Sequence, residues 1–210
     1  MMSYLDALHR HSEEGEEEDL DVELNLSIPG QMDATELDRL ARLAHEVAPN
    51  GCIVEVGSLF GQSSWSLAKN TPANATVYCL DPWVREPWMP IEERAGQGLY
   101  LETFRKNTDG LSNIIPLRGY SPREFVGWQR TIDLLFLGTA RANPGLHYNL
   151  TFWAGFVRPG GWICGHAYCN EFPDVKTEVD RLAAGVGTRV TVAETLWSMR
   201  VPEDFIRYGV

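Results

Sequence analysis

From position 51 to 64 the chain reads Gly-Cys-Ile-Val-Glu-Val-Gly-Ser-Leu-Phe-Gly-Gln-Ser-Ser. A short apolar run (Cys52, Ile53, Val54, Val56) gives way to two glycines, Gly57 and Gly61, and then to a helical pattern. A second apolar run, residues 75–80, ends in Asp81. Strand, tight glycine turn, helix and a second strand tipped by a carboxylate suit an adenosine-containing ligand at the carboxyl edge of a parallel sheet. Glycines without Cβ atoms let the backbone approach such a ligand, and amides opening a helix favour its carboxylate. Glu55, at the strand end, can receive an ammonium group directly or through water. Asp81 can accept two ribose hydroxyls, or it can cap its own loop. The Gly-x-Gly-x-x-Gly of nicotinamide-binding proteins is absent, because Leu59 stands where the second glycine belongs.

The elements that must position these residues follow from periodicity. Asp33 with Glu36 three residues on forms a capping box, and Leu37, Leu40, Ala41, Ala44 and Val47 continue at helical spacing. Helices are expected after Gly61, over about 91–107, 121–128, 146–157 and 174–184. Strands are expected over 52–56, 75–80, 113–117, 132–137 and 162–165. Arg158-Pro159-Gly160-Gly161 reads as a helix stop. Two closing strands, 189–192 and 196–201, are too closely linked for anything but an antiparallel hairpin. Alternating strands and helices imply an α/β domain with a parallel sheet covered on both faces. The loop 81–90 carries Trp83 and Trp88 among three prolines. It can cap a substrate, or it can cover a sheet edge or a subunit contact.

Composition bounds the partners. With 210 residues, 44% hydrophobic and 22% charged, one globular domain is expected over residues 31–210, preceded by an acidic, mobile segment over 1–30. The net charge of -11 is concentrated between Glu13 and Glu23. No basic surface suited to nucleic acid is apparent. No apolar run approaches membrane-spanning length, and the N-terminus lacks the basic and apolar regions of a secretory signal. Cys52, Cys79, Cys164 and Cys169 form no Cys-x-x-Cys pair. They read as reduced, structural residues of a cytoplasmic protein.

Five landmarks in order resemble the class I S-adenosylmethionine-dependent methyltransferases. They are the 55–61 turn, the acidic strand end at Leu80, Asp81, Pro82 and Trp83, the Gly119, Tyr120, Ser121 segment, the strand 132–137, and the Arg158 to Gly161 segment leading into a strand. The nearest group looks like the small-molecule O-methyltransferases related to the macrolide-sugar and cephalosporin-pathway enzymes. The resemblance implies a Rossmann-like α/β fold, a seven-stranded, mostly parallel sheet with a C-terminal antiparallel hairpin. It implies S-adenosylmethionine as cofactor, held by Glu55, Gly57, Ser58, Phe60, Gly61, Ser63 and Asp81. Trp83 or Tyr120 would flank the adenine, with Ser121 hydrogen-bonding near it. A small-molecule acceptor follows, and a homodimer is plausible.

Many such relatives bind a divalent cation through aspartates that follow the fourth and fifth strands. Here Gly138 and Ala167 occupy those positions and offer no side-chain oxygen. No metal site is therefore expected. Asn170 and Glu171 lie close by in sequence as weak substitutes. His166 is the candidate general base, with a structural histidine as the alternative. His147 lies in the pattern of a covering helix. Arg141 can hold an anionic substrate or sit at the surface, and Tyr168 can line a pocket or simply pack. Three readings stay open: a metal-independent methyltransferase, a cofactor-binding homologue that has lost turnover and serves as a regulatory partner, or a fold put to another ligand.

Overall fold

The computed structural model describes residues 20–84 and 99–205. Seven strands form one sheet: β1 Cys52–Val56, β2 Thr76–Asp81, β3 Ile114–Arg118, β4 Ile132–Leu137, β5 Val157–Gly165, β6 Thr191–Ala193 and β7 Leu196–Arg200. Five helices accompany them: α1 Ala34–His45, α2 Gln62–Asn70, α3 Leu99–Asn107, α4 Gly145–Ala154 and α5 Pro173–Val186. The sheet order is β3-β2-β1-β4-β5-β7-β6. β1 to β5 run parallel, while β7 is antiparallel to both β5 and β6. The order reverses between β1 and β4, and an open α/β sheet leaves its ligand crevice at such a switch point. The expected Rossmann-like architecture with its C-terminal hairpin is therefore present.

Side chains alternate across the sheet and build two cores. Ile53, Val77, Leu134 and Phe136 pack under Leu37, Leu40 and Leu43 of α1, Leu67 of α2 and Phe104 of α3. Val54, Val56, Leu135 and Ile163 face Leu150 and Trp153 of α4 and Val175 and Val179 of α5. α1 begins as its sequence requires: Asp33 Oδ1 accepts the Glu36 amide at 2.9 Å, and Glu36 Oε2 accepts the Asp33 amide at 3.3 Å. The segment 20–32 lies along this layer. Leu24 packs against the first core, Ile28 is buried, and Asn70 of α2 exchanges two 2.8 Å bonds with the Glu23 backbone. Residues 1–19, which hold most of the acidic run, lie outside the described residues, as do Trp88 and the start of the helix expected from 91.

Two expectations need correction. Residues 121–128 form no helix beyond the single 3-10 turn Arg123–Phe125; the start of the segment is tied to α4 by the Ser121 hydroxyl, which bonds Asn149 and Trp153. Arg158 to Gly161 is not a loop between helix and strand but part of β5 itself. β5 runs past β4 with a register shift between Ile132 and Leu134, so the Pro-Gly-Gly residues bulge out of the ladder rather than ending an element. α4 has already stopped at Ala154.

No helix among the described residues is long and apolar enough to cross a membrane. Asp133 ties three strands together at the edge opposite the cavity. Its Oδ2 accepts the Cys52 amide at 2.8 Å, and its Oδ1 accepts Arg158 Nε at 2.7 Å. Hydrogen bonds to a charged group contribute roughly 1.5–3 kcal/mol each. Asp133→Ala is expected to lower the unfolding free energy by about 3 kcal/mol in urea titration with an unchanged m-value; a loss below about 0.5 kcal/mol would show that the tie is dispensable.

Candidate active site

A cavity of roughly 620 Å³ opens at the carboxyl ends of the central strands. Its walls come from the turns after β1, β2, β3, β4 and β5, with residues 29–32 closing one side. That volume is in the range of small-ligand sites.

The turn after β1 is built from left-handed residues. Gly57 has φ 93 and Gly61 φ 91, and between them Leu59 adopts φ 44. A Cβ on Gly57 would stand 2.6 Å from the Thr139 Cβ, so glycine is required on two counts. Leu59 is a strained choice, and two contacts hold it. Its amide donates to Asp81 Oδ2 at 3.0 Å, and its carbonyl accepts Trp83 Nε1 at 2.8 Å. Asp81 Oδ1 in turn accepts the Trp83 amide at 2.7 Å. Asp81 thus serves its loop as a cap while also lining the cavity. Gly61 caps α2 without a side-chain hydrogen bond, and no acidic residue occupies that helix's first turn. The helix N-terminus therefore presents its positive dipole end to the cavity with no acidic residue in its own first turn.

Of the other candidates, Ser58, Phe60, Ser63, Trp83, Tyr120 and Ser121 all line the cavity. Phe60 stacks on Tyr100 with ring centroids 5.5 Å apart. Trp83 is only 1% exposed, with its indole against Phe104, so it supports the turn from below. Tyr120 is the exposed aromatic of the wall. The Ser121 hydroxyl is engaged: it donates to Asn149 Oδ1 at 2.7 Å and accepts Trp153 Nε1 at 2.7 Å.

Glu55 departs from the expected direct contact. It is 0% exposed and does not line the cavity. Alternation along β1 puts it on the face of Ile53, beneath α2, where Ser63 and Ser64 donate their hydroxyls to its two oxygens. Burial pushes its carboxyl up, opposed by the hydroxyls of Ser58, Ser63 and Ser64. Glu55 therefore anchors the first turn of α2, and Ser63 is the link from it to the cavity. Gly61 does not line the cavity either; its part is the bend itself.

Two buried hydroxyls of the wall, Ser58 Oγ and Tyr100 Oη, have no hydrogen bond of ordinary geometry. Ser58 nevertheless sits near enough to Glu55 to pull its carboxyl down. Buried polar atoms without partners are costly, and here they border a space that a ligand can fill.

His166 follows β5, is 9% exposed and lines the cavity. Its Nε2 lies 3.2 Å from Arg141 Nη2 and 3.3 Å from the Gly138 carbonyl. Guanidinium only donates, so Nε2 is the acceptor and the imidazole is neutral. Burial first, then Arg141, lowers its pKa from 6.5 to about 4, against the Gly138 carbonyl. Ala167 is buried in a left-handed conformation with φ 67, and its amide donates to Thr195 Oγ1 at 3.2 Å. Gly138 is tight against the Gly57 carbonyl, 3.0 Å from where a Cβ would be. Neither position offers a side-chain oxygen, and the described residues contain no group of three or more His, Cys, Asp or Glu placed to hold a metal ion. The chain's residues here do not fit a divalent cation. Asn170 and Glu171 are absent from the cavity wall.

His147 lies away from the cavity, bonded to Glu178 at 3.1 Å, and the Tyr168 hydroxyl donates to Asp180 at 2.7 Å. All four cysteines are free thiols. Burial raises the Cys52 thiol to about 12 and the Cys79 and Cys164 thiols upward as well, which leaves them unreactive. Sequence reasoning missed Gln31, Tyr100 and Asn149 as wall residues. Asn149 alone carried a signal, being a polar residue inside the apolar pattern of α4.

Residues 54–168 match the family described as a methyltransferase domain. No curated protein matches the chain significantly. Among solved structures, the chain is similar to an O-methyltransferase from Bacillus cereus in complex with SAH, at 17% identity and TM-score 0.59, covering 84% of each chain. It is similar to a precorrin-6y C5,15-methyltransferase from Geobacter metallireducens at 14% identity and TM-score 0.60, covering 85% of this chain and 94% of the other. An rRNA methylase from Streptococcus thermophilus is equally close in fold, at 14% identity and TM-score 0.59, covering 82% and 99%. At such identities the likeness is one of fold.

The His166 shift has a sign that stability measurements can read. The unfolded chain takes up a proton on this imidazole below pH 6.5, the folded chain only below about 4. Stability is therefore lost as pH falls through that window, by up to about 3 kcal/mol. His166→Gln is expected to flatten the unfolding free energy against pH between 6.5 and 4, gaining on the parent at the acid end. Parallel curves for the two proteins would refute the burial of a neutral imidazole.

Proposed function

The chain belongs to the methyltransferase-domain family, and from that premise we propose that it methylates a hydroxyl of a small-molecule acceptor without a metal ion. It is an enzyme of the class I fold, and its cofactor is S-adenosylmethionine. Bound in the cavity, this cofactor supplies an electrophilic methyl on a sulfonium centre. The observation that carries the reading is the clamped turn: Gly57, Leu59 and Gly61 left-handed, with Asp81 across from them at the tip of β2.

Asp81, at the tip of β2 on the cavity wall, would accept the ribose hydroxyls. The amides opening α2 would receive the methionine carboxylate. Tyr100 would give the bound molecule its hydroxyl, which has no partner among the described residues. Phe60 and Tyr120 supply apolar faces at the wall, and Trp83 backs the turn from beneath. The acceptor hydroxyl would lie on the side of the post-β4 and post-β5 turns, in line with the methyl, where positioning supplies much of the rate. His166 lines the cavity on that side, and for its Nε2 to take the hydroxyl proton it must first release Arg141 Nη2, whose hydrogen bond it accepts in the free protein. Gly138 and Ala167 support metal independence because neither bears a side-chain oxygen. A pI near 4.9 favours a small molecule over nucleic acid.

Calorimetry with S-adenosylhomocysteine tests the cofactor site. One-to-one binding is expected, weakened at least about tenfold in Asp81→Asn, the scale of a lost charge-assisted hydrogen bond. No heat of binding in the parent protein would sink the reading. Turnover on hydroxylated small molecules is expected to persist in excess chelator; its abolition would refute the metal-independent step.

A further inference from the structure

Of the described residues that line the cavity, only Asp81 and Arg141 carry a formal charge at neutral pH. They belong to opposite parts of the crevice. Asp81 ends β2, on the side of the clamped turn, while Arg141 follows β4 and reaches His166 after β5. Arg141 is half-buried, yet no carboxylate among the described residues lies within salt-bridge distance of it. Its contacts are neutral. Nη2 donates to Gln31 Oε1 and to His166 Nε2, and the guanidinium lies 4.9 Å over the Phe172 ring. These partners fix the plane of the group without pairing it directly with a carboxylate of the described residues. Both hydrogen bonds leave from Nη2, so Nε and Nη1 make none to the described residues. Glu171, Glu36 and Cys169 act on it only at longer range, while burial pulls its pKa down. A partly desolvated guanidinium with two donors to spare is an anion-binding group, and its fork matches a carboxylate bidentately.

Resting on the methyl-transfer reading, we infer that the acceptor is a hydroxy acid, whose carboxylate is clamped by Arg141 while its hydroxyl is presented beside His166. A single cation suits a singly charged group. The cofactor's own carboxylate is the other source of the same chemistry. It has a separate set of donors in the amides at the start of α2, where no side chain caps the helix. Gln31 makes the site depend on the 29–32 segment, which Gln62 of α2 holds through 3.3 Å bonds to both the Met32 amide and carbonyl.

Calorimetry distinguishes the sources. The probes are 3-hydroxybenzoate against 3-hydroxybenzamide, and lactate against lactamide, each titrated into the full chain with and without S-adenosylhomocysteine. In the parent protein at least one acid is expected to bind tenfold or more tightly than its amide. Arg141→Gln should abolish that preference and Arg141→Lys restore part of it, while S-adenosylhomocysteine affinity stays within about twofold in both. Equal binding of acids and amides, no binding of either, or a preference that survives Arg141→Gln overturns the inference. So does a tenfold loss of S-adenosylhomocysteine affinity in Arg141→Gln, which would assign the guanidinium to the cofactor carboxylate. Failure of the parent protein to bind S-adenosylhomocysteine, with the acid preference intact, would remove the methyl-transfer reading and leave the Arg141 carboxylate site standing.

Discussion

The constraint on which the rest depends is a reversal of the chain in the few residues between β1 and α2. To make it, positions 57, 59 and 61 take left-handed conformations, one of them without the help of glycine. Asp81 and Trp83 stabilise it by gripping Leu59 at its amide and its carbonyl. The same reversal brings β2's carboxylate to the mouth of the crevice and sets the amides of α2 beside it. Glu55 completes the arrangement from beneath by holding Ser63 and Ser64, the second and third residues of α2. A carboxyl wholly removed from water is costly, and its pKa moves up accordingly. Its hydrogen bonds to two hydroxyls offset part of that cost.

Electrostatics divide the cavity. Around Asp81 the wall is arranged for hydroxyls and for the positive end of a helix. Around Arg141 it is arranged for negative charge, with a neutral imidazole as neighbour. In a largely apolar enclosure each charge is screened less than at the surface, so each has a larger say in what binds. The fold is shared by an O-methyltransferase and an rRNA methylase, so the fold alone does not select an acceptor.

Much of the framework was legible locally. The capping box of Asp33 and Glu36 and the apolar spacing that follows it define α1 without help from the rest of the chain. Residues 132–137 are too apolar for anything but a buried strand, and the short link between β6 and β7 permits only a hairpin. Other stretches misled for identifiable reasons. Pro159, Gly160 and Gly161 carry the chemistry of a stop, yet a register shift lets β5 run through them. The Ser121 segment has the look of a short helix, but its serine hydroxyl is taken by Asn149 and Trp153 of α4, which hold it as an irregular turn.

Taken alone, the sequence determined the local events: where glycine is obligatory, where a carboxylate ends a strand, which positions lack the oxygens that a metal needs. These depend on backbone sterics and side-chain chemistry within a few residues of one another. Only the tertiary structure decided which groups share a wall. Period-two alternation shows that Glu55 and Val56 face opposite sides of β1, but not which side carries α2 and which borders the crevice. Gln31, Arg141 and His166 are far apart along the chain and meet because β4 and β5 are neighbours and the 29–32 segment folds over their ends. Burial then favours the neutral imidazole and partly desolvates the guanidinium, and burial is a property of the packed fold rather than of any segment.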